Sequence, residues 1–72
     1  MLVRMKPRRY RITVRGRLSE RFADAFDGAT LEAGRSETHV VTGLIDQAQL
    51  HGLLERVRDF GLELRELQEV DR

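Results

Sequence analysis

Few side chains in this sequence are equipped for chemistry. They are two histidines, a scatter of carboxylates and a run of arginines. His51 and His39 have the side chain that titrates near neutral pH, suited to a general base or a metal ligand. No cysteine or serine stands beside either in a catalytic spacing, and the chain contains no cysteine at all. Two histidines do not close a zinc site without carboxylate help. Asp24 and Asp27 stand three apart on a candidate helix face. A pair of carboxylates without a third ligand seldom holds calcium or magnesium. The glycines at 16, 28, 34, 43, 52 and 61 form no phosphate-cradling loop. The expectation is no enzyme: no catalytic residue, no metal and no cofactor.

The arginines carry more information. Residues 1–18 hold seven basic side chains (Arg4, Lys6, Arg8, Arg9, Arg11, Arg15 and Arg17) and no acid. The remainder holds six basic residues against all twelve acidic ones, so a net charge of +1 hides a basic start on an acidic body. Such an arm can bind nucleic acid or an acidic partner, or pair with a second copy of the same chain.

Positioning these groups falls to six elements. Tyr10, Ile12 and Val14 alternate with Arg11, Thr13 and Arg15, the pattern of a half-buried strand over Tyr10 to Leu18. Ser19 is the expected N-cap of a short helix over Glu20 to Phe26, ended by Asp27-Gly28. A weak strand over Ala29 to Ala33, a Gly34-Arg35-Ser36 turn and a strand over Glu37 to Gly43 make a hairpin. Asp46 and Gln49 form a capping box for a second helix, with Leu50, Leu53, Leu54, Val57 and Phe60 on one face. Gly52 inside that helix suggests close approach of another element. Gly61 ends the helix, and Glu63 to Val70 is the last strand.

The order β-α-β-β-α-β predicts an α+β fold of the ferredoxin-like kind, a four-stranded antiparallel sheet with both helices on one face. The expected core is Tyr10, Ile12, Val14, Phe22, Phe26, Leu31, Leu50, Leu53, Leu54, Val57, Leu62 and Leu64. Residues 1–9 read as a basic arm and 10–72 as one domain. Met5 is an alternative start to Met1.

A chain of 72 residues buries only roughly 60% of the surface its unfolded form exposes. Without disulfides, oligomerisation is the remaining supplement. The absence of cysteine fits a reducing cytoplasm, which is the expected location. No apolar run approaches a membrane span, so no membrane partner is expected.

The stretch Asp46 to Leu62, DQAQLHGLLERVRDFGL, resembles a helix motif of short uncharacterised bacterial proteins, and the similarity runs from about Tyr10 to Val70. That resemblance implies a compact bacterial domain and no particular activity. The basic arm before Tyr10 is longer than in such proteins.

Arg11, Thr13 and Arg15 project from the open sheet face if Tyr10, Ile12 and Val14 face the helices. Val40 and Val41 must point to opposite faces. Leu64 and Leu67 split as well unless a bulge intervenes. The open face thus gains apolar groups among arginines, and an exposed apolar patch on a small sheet marks an interface. Arg11, Thr13, Arg15, Val40 and Val41 are accordingly the candidate partner-binding residues. The expected function is a small interaction module, a homodimer or a subunit docking on another protein. One alternative is nucleic-acid binding through Arg4, Lys6, Arg8, Arg9 and Arg11, with Arg15 beside them. The aromatics that would stack bases are absent from the expected open face. A small-molecule-sensing regulatory domain at a subunit interface is the other alternative, by analogy of fold.

Overall fold

A computed structural model describes residues 6–26 and 28–70. Strand β1 (Arg9–Arg15) leads to helix α1 (Phe22–Ala25), then to strands β2 (Thr30–Ala33) and β3 (Glu37–Val41). Helix α2 (Gln47–Asp59) and strand β4 (Leu64–Val70) complete the chain. The strands form one sheet in the order β2-β3-β1-β4, antiparallel at each pairing. The architecture is therefore α+β, a four-stranded antiparallel sheet with two helices.

Strand β1 is central and its alternation is the reason. Tyr10, Ile12 and Val14 are buried on one face, where they join Val40, Phe26, Ala29, Leu50, Leu53 and Val57 in the core. That cluster draws on α2 and on Phe26, which ends α1, with Phe22 of α1 partly buried against it. Strand β1 begins earlier than the sequence suggests. Arg9 belongs to β1, and Arg8 exchanges backbone hydrogen bonds with Ile45 at 2.8 and 2.9 Å. The last residues of the expected arm are thus part of the sheet. Met1 to Met5, with Arg4, lie outside the described residues.

Helix α2 follows its sequence signals closely. Asp46 Oδ1 accepts from the Gln49 backbone N–H at 2.8 Å, and Gln49 Oε1 accepts from the Asp46 N–H at 3.0 Å, closing the capping box. Gly61 takes φ +71°, and the Leu62 N–H reaches back to the Val57 carbonyl at 2.9 Å. Gly52 departs from expectation. A Cβ built there meets no atom within 4 Å, so no neighbouring element explains the glycine.

Helix α1 is shorter than expected and lacks the Ser19 cap. No side chain caps it. Instead the Ser19 and Glu20 carbonyls accept from the Phe22 and Ala23 N–H groups at 3.0 Å each, so a tight turn leads into the helix. The loop between β1 and α1 is tied down from β3. Thr38, 1% exposed, accepts from the Leu18 N–H at 3.0 Å and donates to the Gly16 carbonyl at 2.8 Å. Thr42 plays the same part at the other end of β3, accepting from the Tyr10 N–H at 3.0 Å. These buried threonines satisfy backbone groups where the strand ladder stops.

Candidate interaction surface

The face of β1 turned away from the helices carries Arg9, Arg11, Thr13 and Arg15. Across from them stand Val41, His39 and Glu37 of β3, and Val70, Gln68 and Glu66 of β4. Thr13 and His39 are direct cross-strand partners, with Thr13 Oγ1 at 2.8 Å from His39 Nδ1. His39 Nε2 lies 3.5 Å from a Glu37 carboxylate oxygen. A hydroxyl, an imidazole and a carboxylate in series have the parts of a nucleophile, base and orienting acid. Here the nucleophile's position is taken by Thr13, a residue only 3% exposed. Arg15 reaches Glu63 at 3.4 Å, with both side chains largely in solvent.

This face is more polar than the sequence implies. Val40 is fully buried on the helix side, so of the two valines only Val41 faces out. Val40 therefore cannot be a partner-binding residue in the folded chain. The leucines of β4 also leave the open face. A register shift between Thr13 and Val14 places Leu67 opposite Ile12 and Leu64 opposite Val14, both on the helix side. Arg65 is the extra residue of this bulge. It is what cancels the odd spacing of Leu64 and Leu67.

On the helix side the two leucines are not covered. Leu64 is 46% exposed and Leu67 41%, so Leu64 is not part of the core. Leu44 and Phe60 are exposed too, although Phe60 packs edge-on against Phe22 with ring centres 5.2 Å apart. Strand β4 is seven residues long and, among the described residues, pairs with β1 alone. The opposite edge, β2, has four residues. Short edges are a common protection against unwanted pairing, and β4 lacks it.

At one end of β4, Lys6, Pro7, Arg8, Arg9, Leu44, Glu69 and Val70 line a groove of about 430 Å³. Arg8 and Glu69 form an ion pair across it. His51 is exposed on α2, away from the groove's lining. Asp27 lies outside the described residues, so the Asp24–Asp27 pair does not enter. Among the described residues no group of three or more metal-binding side chains gathers, and no helix is long and apolar enough to cross a membrane.

A family model described as a domain of unknown function (DUF8691) matches residues 9–68. The chain belongs to this family. The match runs from the first residue of β1 to Gln68, two residues short of the end of β4. No curated protein and no solved structure matches the chain.

The odd spacing of Leu64 and Leu67 leaves a bulge open as the alternative to a split, and the structure has that bulge at Arg65. The Thr13–His39 pair is not legible in the sequence, because register is set by strands far apart in the chain.

Proposed function

We propose that this domain is a non-enzymatic interaction module whose docking edge is β4, within a ferredoxin-like β-α-β-β-α-β frame. One observation carries it: among the described residues the long outer strand is paired on one side alone, and it holds two leucines at nearly half exposure. An added strand would satisfy the outward backbone groups and cover Leu64 and Leu67 together. The strand order, antiparallel throughout, supports the frame. Arg11, Thr13, Arg15 and Val41 then form a polar flank of the docking site rather than its centre.

Site-specific photo-cross-linking in cells tests this. A photo-reactive residue in place of Gln68, exposed on β4, is expected to give a discrete adduct. The same residue in place of Arg35, in the exposed β2–β3 turn, should give none. Equal yields at the two positions would overturn the assignment.

The basic groove favours a second function, contact with nucleic-acid phosphates through Lys6, Arg8, Arg9 and Arg11. Glu69 in the groove and Glu37 and Glu66 on the open face oppose it. Retention on heparin at low salt, lost when Arg8, Arg9 and Arg11 are neutralised, would favour it.

A further inference from the structure

We infer that the partner of the β4 edge is a second copy of this chain, joined antiparallel about a two-fold axis through Leu67. This rests on the assignment of β4 as the docking edge. Leu67 and Glu69 stand opposite Ile12 and Tyr10, so both lie on the helix side of the sheet. By alternation Arg65 shares that side, while Glu66 and Gln68, opposite Thr13 and Arg11, lie on the other. An axis perpendicular to the sheet at Leu67 sets Leu67 against its own copy. Arg65 then meets Glu69 of the other chain, and Glu66 meets Gln68, each pair on one face. Every position from 65 to 69 gains a complementary neighbour.

Neighbouring registers fail this test. Centring on Glu66 stacks two carboxylates directly opposite each other and sets Arg65 against leucine. Centring on Gln68 sets Leu67 against Glu69 and Glu66 against Val70. An axis between two residues would pair side chains from opposite faces, which antiparallel strands forbid. Charge complementarity therefore selects one register and one occupant.

The remaining observations agree. Arg65 is exposed and makes no ion pair among the described residues of its own chain. Glu69 already receives Arg8, and a carboxylate has room for a second cation. The bulge at Arg65 interrupts the regular alternation of β4 next to the self-paired positions 65–69. Joining two β4 edges yields an eight-stranded sheet with all four helices on one side. Among the described residues it leaves the four-residue β2 strands as the outer edges, and it brings the four leucines of Leu64 and Leu67 together.

The test is a charge swap read by sedimentation equilibrium. The unmodified chain is expected to dimerise. Arg65→Glu and Glu69→Arg each place like charges opposite one another twice, and each should weaken the dimer about tenfold or more. An equimolar mixture of the two variants, each checked for its native circular dichroism, should recover a heterodimer, because each faulty position meets its opposite. The double variant Arg65→Glu/Glu69→Arg should dimerise as the original does. A monomeric original chain, or single variants whose mixture stays as weak as its parts, would overturn the second-copy assignment. A Gln68 adduct whose mass identifies a different protein would overturn it too, while leaving β4 as the docking edge. Absence of any adduct would remove both.

Discussion

Replacing Thr38 with valine removes one hydroxyl and changes almost nothing else in shape, which makes it a sharp probe of what holds the β1–α1 loop. Thr38 is 1% exposed, and its hydroxyl makes two hydrogen bonds, to the Leu18 N–H and the Gly16 carbonyl. In Thr38→Val both backbone groups lose their partner. An orphaned buried group costs about 1–3 kcal/mol. The loop is partly open to water, so we take the lower half of that range for each group, a total of about 2–4 kcal/mol. For a domain near this size, each kcal/mol moves the melting midpoint by about 4–8 °C. Thr38→Val should therefore unfold at least about 8 °C lower in a calorimetric or circular-dichroism melt. Thr38→Ser keeps the hydroxyl and loses one methyl, at a cost of about 1 kcal/mol. If Thr38→Val melted with the original chain while Thr38→Ser did not, the methyl and not the hydroxyl would be the stabilising group. The hydrogen-bonded role assigned to Thr38 would then be wrong.

Three further outcomes follow from the same structure. Gly52→Ala should stabilise the chain by about 1 kcal/mol in urea unfolding, since the added methyl meets open space and alanine favours the helix; a loss of stability would mean that something packs there. Val40→Ala should cost about 2–3 kcal/mol, whereas Val41→Ala on the half-exposed face should cost under about 1 kcal/mol, and equal losses would contradict the assignment of faces. Asp46→Ala should lose about 1 kcal/mol through the broken capping box, with little further loss when Gln49→Ala is added, because the two act together.

Hydrophobic period and capping chemistry are local, and the elements that depend on them were legible in the residues. The alternation around Tyr10, Ile12 and Val14 set out β1, and Asp46, Gln49 and Gly61 bounded α2 within a residue or so. Facts that depend on register were not legible. Which of Val40 and Val41 turns inward is decided by pairing with Ile12, across a long stretch of chain. The spacing of the β4 leucines divides them between two faces unless a bulge intervenes, and one extra residue at Arg65 is that bulge and unites them on one. That shift moves the uncovered apolar surface from the open face to the β4 edge, and with it the candidate interface. Helix α1 was overextended because Ser19 has the chemistry of a cap, while a tight turn supplies the same hydrogen bonds through the backbone.

A cysteine scan along β4 tests the central claim most directly, because the natural chain has no cysteine and any disulfide must join two copies. Placed singly at 65, 66, 67, 68 and 69, the thiols meet their own copies at different distances about an axis through Leu67. At the axis the two Cα atoms lie about 4.5–5.5 Å apart, within reach of a disulfide. One position away, the offset along the strand already carries them beyond about 7 Å. Under mild oxidation Leu67→Cys should form the covalent dimer fastest, with rates falling on both sides. A maximum elsewhere, or equal slow rates at all five positions, would contradict the two-fold edge.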